Sequence, residues 1–160
     1  TNLLKEDETN LVQLKQTIFS LLTPQIKIKK IDLKVSIGEG NQHVPFSKLY
    51  VLQILGNLLS NSIKFTEPGG EILVEMNLER VNLDWILKLL VKDNGTGMGY
   101  SKINEILEDG TSTNQGTQGE EGFGIGLNLV RQLVNRQKGT IGLDSELGKG
   151  TKFKIEMKVN

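Results

Sequence analysis

The sequence predicts an α+β domain: a two-layer α/β sandwich with one mixed, mostly antiparallel sheet and its helices on one face. Three observations predict it. Segments with helical spacing of apolar residues alternate with segments of period two, in the order helix, strand, helix, two strands, short helix, helix, two strands. Two of those strands follow each other closely and read as an antiparallel hairpin. The 160 residues, 37% of them hydrophobic, suffice for one sizeable core.

The first helix is predicted over Leu11 to Leu22, where Leu11, Leu14, Ile18, Leu21 and Leu22 form a stripe that Thr23-Pro24 should end. Ile31 to Ile37 alternates apolar and polar residues as a half-buried strand does. Gly38 to Pro45 is a turn region. It holds the sole histidine, His43, which has no His, Cys or acidic neighbour and reads as a surface side chain.

Leu49 to Thr66, LYVLQILGNLLSNSIKFT, is predicted as a buried helix, with no proline and one glycine. At about 100° per residue, Gln53, Asn57, Ser60, Asn61 and Lys64 fall on one narrow polar stripe. Val51, Leu52, Leu55, Leu59, Ser62 and Ile63 take the other side. The stripe is either a solvated face or a surface for a ligand with oxygen atoms or a hard cation.

Glu67-Pro68-Gly69-Gly70 then turns the chain into strands Glu71 to Glu79 and Trp85 to Lys92, the hairpin pair. A short helix is expected over Ser101 to Leu107. Glu108 to Glu121, polar and rich in Gly, Thr and Gln, reads as a mobile loop. GFGIGLNLVRQLVNRQ enters a helix from a glycine run. Strands Gly139 to Asp144 and Gly150 to Val159, joined through Gly148-Lys149-Gly150, close the domain.

Bulk composition excludes several classes. Nineteen basic and nineteen acidic side chains cancel, so no global field favours nucleic acid or an anionic membrane. The absence of cysteine excludes disulfides, thiolate chemistry and Cys-based zinc sites. No apolar run reaches bilayer length and no signal-peptide pattern opens the chain. TNLLKEDETN reads as the end of an upstream linker over residues 1–10, followed by a single domain over 11–159. The eighteen glycines cluster late, a sign of tight turns or close backbone approach.

Phosphate-binding glycine motifs separate on spacing. A dinucleotide fingerprint needs GxGxxG after a strand. Gly122, Gly124 and Gly126 instead follow a polar loop, and Leu127 occupies the last glycine's place. A P-loop fails because Leu143 stands where its first glycine belongs and Gly150 where its hydroxyl belongs. The motif set of serine, threonine and tyrosine kinases is absent.

Three stretches taken together carry a resemblance. NLLSNSIKFT, DNGTG and GFGIGL, in this order, resemble the N, G1 and G2 boxes of the sensor histidine kinase catalytic domain, a branch of the gyrase, chaperone and mismatch-repair ATPase superfamily. The resemblance runs from about Leu33 to Met157. GTQGEEGFGIGL and SELGKGTKF resemble the lid and tail of the kinase branch, with the lid loop at about 108–121. The fold implied is the Bergerat-type sandwich.

The resemblance implies ATP and Mg2+ as cofactors and gives each box a task. Asp93, at a strand end, would accept the exocyclic amino hydrogen of adenine, where guanine presents a carbonyl oxygen. Gly95 and Gly97 would let the backbone approach the base, with Met98 beside them. Asp-Asn-Gly is also simply a good turn. Asn61 matches the magnesium ligand and Asn57 lies one turn before it. Lys64 would reach a phosphate, and Phe65 would pack near the nucleotide or in the core. Gly122, Gly124 and Gly126, with Leu127, would present helix amides to phosphate oxygens. Thr117 in the lid and Thr151 in the tail are candidate hydroxyl donors.

One position bears on the branch. Hydrolytic members place a glutamate four residues before the magnesium asparagine, and here that residue is Asn57, which cannot take a proton from water. The resemblance therefore implies a two-component protein histidine kinase fragment. It would pass the ATP γ-phosphoryl group to a histidine on a separate dimerisation domain, in the same or a partner chain, with a response regulator receiver domain downstream. An ATP-hydrolysing clamp of the gyrase or chaperone type is the alternative. The expected location is cytoplasmic, free or as part of a membrane-bound sensor, without nucleic acid or direct membrane contact. One departure stands out: Lys102 to Leu107 occupies the family's phenylalanine-centred box without a Phe.

Overall fold

The computed structural model describes residues 3–98, 114, 115, 121, 122 and 125–160. The predicted short helix over 101–107 and most of the lid loop lie outside them. Nine strands and three helices are described: β1 (Glu8–Thr9), α1 (Leu11–Lys29), β2 (Asp32–Ile37), β3 (Phe46–Ser47), α2 (Val51–Phe65), β4 (Glu71–Val81), β5 (Asp84–Asp93), β6 (Asn114–Gln115), β7 (Glu121–Gly122), α3 (Ile125–Arg136), β8 (Thr140–Glu146) and β9 (Gly150–Lys158).

Five strands form the main sheet in the order β2-β4-β5-β9-β8. β2 pairs β4 in parallel, and the other three pairings are antiparallel. The register keeps one apolar set on one face. Leu33 pairs with Ile72, Met76 with Leu89, Leu89 with Ile155 and Ile155 with Ile141. α1 packs over β2 and β4, α2 over β5, and α3 over β8 and β9. A single core cluster fills the space between sheet and helices. The opposite face is solvated and carries cross-strand ion pairs such as Lys88 with Glu79 at 2.9 Å.

Two local features differ from expectation. α1 does not end at Thr23-Pro24 but continues to Lys29 with Pro24 inside it. An interior proline removes a hydrogen bond and costs about 3 kcal/mol. Here the turn beyond it is anchored. Ile26 packs on the core, its carbonyl accepts from Ile31 N–H at 2.9 Å, and Lys29 is buried. The Thr23 hydroxyl also donates to the Phe19 carbonyl. The second feature is the small β1–β3 ladder, which pairs Glu8 with Ser47 and Thr9 with Phe46. Strands of two residues carry no readable period.

Candidate functional site

Asp93 ends β5 opposite Thr151, the second residue of β9. Its side chain is 6% exposed, and Oδ1 accepts the N–H of Gly95 at 2.9 Å and of Thr151 at 3.2 Å. Burial, the largest influence, raises the carboxyl's proton affinity above that of an ordinary aspartate. The Gly95 N–H, Ser62 hydroxyl and Thr151 N–H pull the other way, and burial wins. Both described hydrogen bonds fall on Oδ1.

The loop after β5 is stitched to two neighbours. Thr96 N–H donates to the Phe65 carbonyl at the end of α2 (2.9 Å), and Gly148 N–H donates to the Thr96 carbonyl (2.7 Å). A Cβ on Gly95 would lie 2.2 Å from the Phe65 carbonyl oxygen, and one on Gly97, at φ +70°, would lie 1.9 Å from that of Glu146. Protein backbone thus accounts for both glycines. Ser145 Oγ accepts the Met98 N–H at 2.8 Å, lies 2.9 Å from the Gly150 carbonyl and meets Thr151 Oγ1 at 2.8 Å. Asp93, Ser145 and Thr151 border an open depression of about 300 Å³. A second depression, about 200 Å³ between Tyr50, Gln137 and Met157, includes neither Asp93 nor Asn61.

α2 presents the predicted polar stripe. Gln53 is exposed, Asn57, Ser60 and Lys64 are half-buried, and Asn61 is 5% exposed. Asn57 Nδ2 donates to the Gln53 carbonyl at 2.7 Å. That bond turns Oδ1 toward α3, where a Cβ on Gly126 would lie 3.0 Å away, with Asn61 Nδ2 at 3.7 Å. The first turn of α3 is therefore packed against the asparagine pair. Asn61 stands one turn before Phe65, the residue whose carbonyl the post-β5 loop grips. The start of α3 thus meets α2 at Asn57 and Asn61, and the Asp93 loop meets the end of the same helix at Phe65.

Phe65, Met98 and Leu127 are all buried in the core cluster, which gives each a packing task. Gly122 is described only as a β7 residue paired with Asn114. Thr117 and Gly124 lie outside the described residues. His43 is exposed in its loop, as expected.

Three residues with a part in this architecture escape sequence reasoning. Lys29 Nζ donates to the carbonyls of Ile63 (2.7 Å) and Lys64 (3.0 Å), the last turn of α2. Ser145 links the loop and the tail. Ser62, buried on α2, lies near enough to ease ionisation of Asp93 yet forms no hydrogen bond of good geometry, so it is a close polar neighbour of the carboxylate. The one available signal for Ser62 was a hydroxyl on an otherwise apolar helix side. Among the described residues no cluster of three His, Cys, Asp or Glu side chains could hold a metal, and no helix is long and apolar enough to cross a membrane.

Comparison with known proteins follows the same lines. The family described as histidine kinase-, DNA gyrase B-, and HSP90-like ATPase matches residues 47–160. The adaptive-response sensory kinase SasA of Synechococcus sp. (strain JA-2-3B'a(2-13)) is 33% identical over 152 residues, 95% of this chain and 39% of that kinase. The chain thus spans 39% of that curated relative's length. The catalytic domain of histidine kinase ThkA superposes with a TM-score of 0.74 at 21% identity, covering 95% of this chain and 96% of that one. Full-length ShkA, solved with AMPPNP, gives 0.73 at 22% identity over 99% of this chain and 32% of ShkA. ThkA has also been solved with its response regulator TrrA, at a TM-score of 0.71 and 19% identity over 96% of this chain and 41% of that one.

Proposed function

The chain belongs to the histidine kinase-, DNA gyrase B- and HSP90-like ATPase family, and from that premise we propose that it is the Mg-ATP-binding catalytic domain of a sensor histidine kinase. The domain comprises residues 11–159, with 1–10 the end of a linker and about 108–121 a lid. The observation that supports the reading is Asp93: a buried carboxylate, pinned through Oδ1, whose loop packs on the end of α2, the helix that carries Asn57 and Asn61.

In this reading Asp93 accepts the adenine amino hydrogen through Oδ2, and Thr151 borders the base. Gly95, Gly97 and Met98 shape the loop beneath it, and Phe65 and Leu127 support the walls from the core. Asn61 would hold a magnesium ion through its neutral amide oxygen, with Asn57 supporting it from one turn before. Lys64, the amides at Gly122, Gly124 and Gly126, and Thr117 serve the phosphate chain. The bound metal would offset charge on the transferring phosphoryl group. The protein's contribution is positioning and electrostatic stabilisation.

Asn57 supports transfer over hydrolysis, because its amide cannot act as a base toward water. The acceptor is a histidine on a separate dimerisation domain, since His43 is an exposed loop residue, and a response regulator receives the phosphoryl group afterwards. ShkA's AMPPNP and ThkA's pairing with TrrA support the nucleotide and the downstream partner. The setting is cytoplasmic.

Calorimetry with ATP and GTP, each with and without magnesium, tests this reading, followed by phosphoryl transfer to an added acceptor domain. ATP binding alone and labelling of the acceptor are expected, with Asn61→Ala retaining the base contacts while losing magnesium dependence. Equal binding of GTP would defeat the adenine assignment. Steady ATP turnover abolished by Asn57→Ala would favour a hydrolysing clamp.

A further inference from the structure

We propose that Ser62 is a positioning residue for Asp93: its hydroxyl is held against the carboxylate and keeps it in the hydrogen-bond-accepting form. What Asp93 accepts rests on the nucleotide reading above; the Ser62–Asp93 relationship does not.

Three observations support it. Ser62 is 3% exposed on the side of α2 that otherwise packs apolar residues into the core, and its Oγ has no well-formed hydrogen bond. A buried hydroxyl left without a partner is destabilising, and native structures rarely keep one. Asp93 also lies against the last turn of α2. The Cβ position of Gly95 is 3.0 Å from Asp93 Oδ1 and 2.2 Å from the carbonyl oxygen of Phe65, three residues after Ser62. Finally, an ionised carboxylate is acceptor-only, so a hydroxyl facing it can only donate, and that donation favours the charged form.

Among the described residues, charged neighbours do not take over this task. Lys92, Asp144, Glu146, Lys149 and Lys152 border the same depression. Lys149 pairs with Glu146 at 3.4 Å and Lys152 with Asp144 at 3.9 Å, while α2 contributes the half-buried Lys64 two residues on. The balance at Asp93 is set instead by burial, Gly95, Ser62 and Thr151.

The test uses Ser62→Ala and Ser62→Thr in the whole chain, following the Asp93 carboxyl carbon by NMR through a pH titration without nucleotide. Ser62→Ala should titrate at higher pH than wild type, and Ser62→Thr close to wild type. The acid limb of ATP affinity should move the same way. Between the two midpoints Ser62→Ala should bind ATP roughly tenfold more weakly, the scale of one lost hydrogen bond to a charged group. Its preference over GTP should shrink there, because a protonated Asp93 can donate to the guanine carbonyl. An unmoved Asp93 midpoint overturns the proposal, and a raised melting temperature alongside it identifies Ser62 as an idle buried hydroxyl. If wild type binds no ATP, the nucleotide reading falls while the carboxyl titration still decides the role of Ser62.

Discussion

Lys29 Nζ, in the last turn of α1, donates to the carbonyl of Ile63 across 2.7 Å of buried space. With its second bond, to Lys64, it satisfies two of the four carbonyls that any helix end leaves unpaired. Thr96 N–H takes a third, at Phe65. The helix that carries Asn57 and Asn61 is thus terminated by other elements, since Thr66 after it is extended and forms no helical cap.

Lys29→Met keeps the bulk and removes the donor, so two carbonyls lose their buried partner. At about 1–3 kcal/mol for each such group, partly relieved by water, the expected loss is about 3 kcal/mol. For a domain of this size that lowers the melting temperature by roughly 6–12 °C. Thermal unfolding followed by circular dichroism checks it, and an unchanged midpoint would show that the ammonium is dispensable.

Asp93→Asn separates the two carboxylate oxygens. The N–H groups of Gly95 and Thr151 hold Oδ1 as an acceptor, which forces the new amide nitrogen into the Oδ2 position. Its hydrogens then oppose the adenine amino group and match the guanine carbonyl. ATP affinity should fall roughly 10- to 100-fold, the scale of a lost charged hydrogen bond, and GTP affinity should rise. Calorimetry with both nucleotides reads the difference; parallel losses would contradict the orientation.

The same substitution should move stability in the opposite direction. Burial raises the folded-state proton affinity of Asp93 above its unfolded value, so the folded chain binds the extra proton. The contribution of Asp93 to stability is therefore fully present at low pH. It is lost as pH rises from the ordinary aspartate value through the raised one. Asp93→Asn, uncharged throughout, escapes this loss. It should melt higher than wild type at neutral pH, with the gap closing in acid. A lower melting temperature at neutral pH would reverse the sign of the burial argument.

How far the residues alone disclosed this arrangement depends on the range of each interaction. The hairpin of β4 and β5 was legible because alternation within one segment fixes which residues face the core. The stripe of α2 was legible because a single helix carries it. Pro24 misled because a local rule about proline does not see Ile26 and Lys29 anchoring the next turn. Gly95 and Gly97 announced close approach, but only the fold reveals that the approaching backbones are those of Phe65 and Glu146. Ser62 and Ser145 act through partners distant in sequence, so no window of neighbouring residues could single them out.

Two glycines make a paired test of that distinction. Gly56, exposed within α2, has nothing within 4 Å of its Cβ position. Gly56→Ala should therefore add about 0.5–1 kcal/mol through helix propensity alone and leave nucleotide affinity untouched. Gly95→Ala places a methyl group 2.2 Å from the Phe65 carbonyl oxygen and 3.0 Å from Asp93 Oδ1. The obstacle is backbone held by the Thr96 N–H, so the loop must move away from α2 and take Asp93 with it. The expected cost is about 1–3 kcal/mol, as for other forced core shifts, together with a loss of ATP binding larger than that of stability. Denaturant unfolding and calorimetry on both variants check the pair. If Gly95→Ala keeps wild-type affinity, the Asp93 loop does not owe its position to its contact with α2.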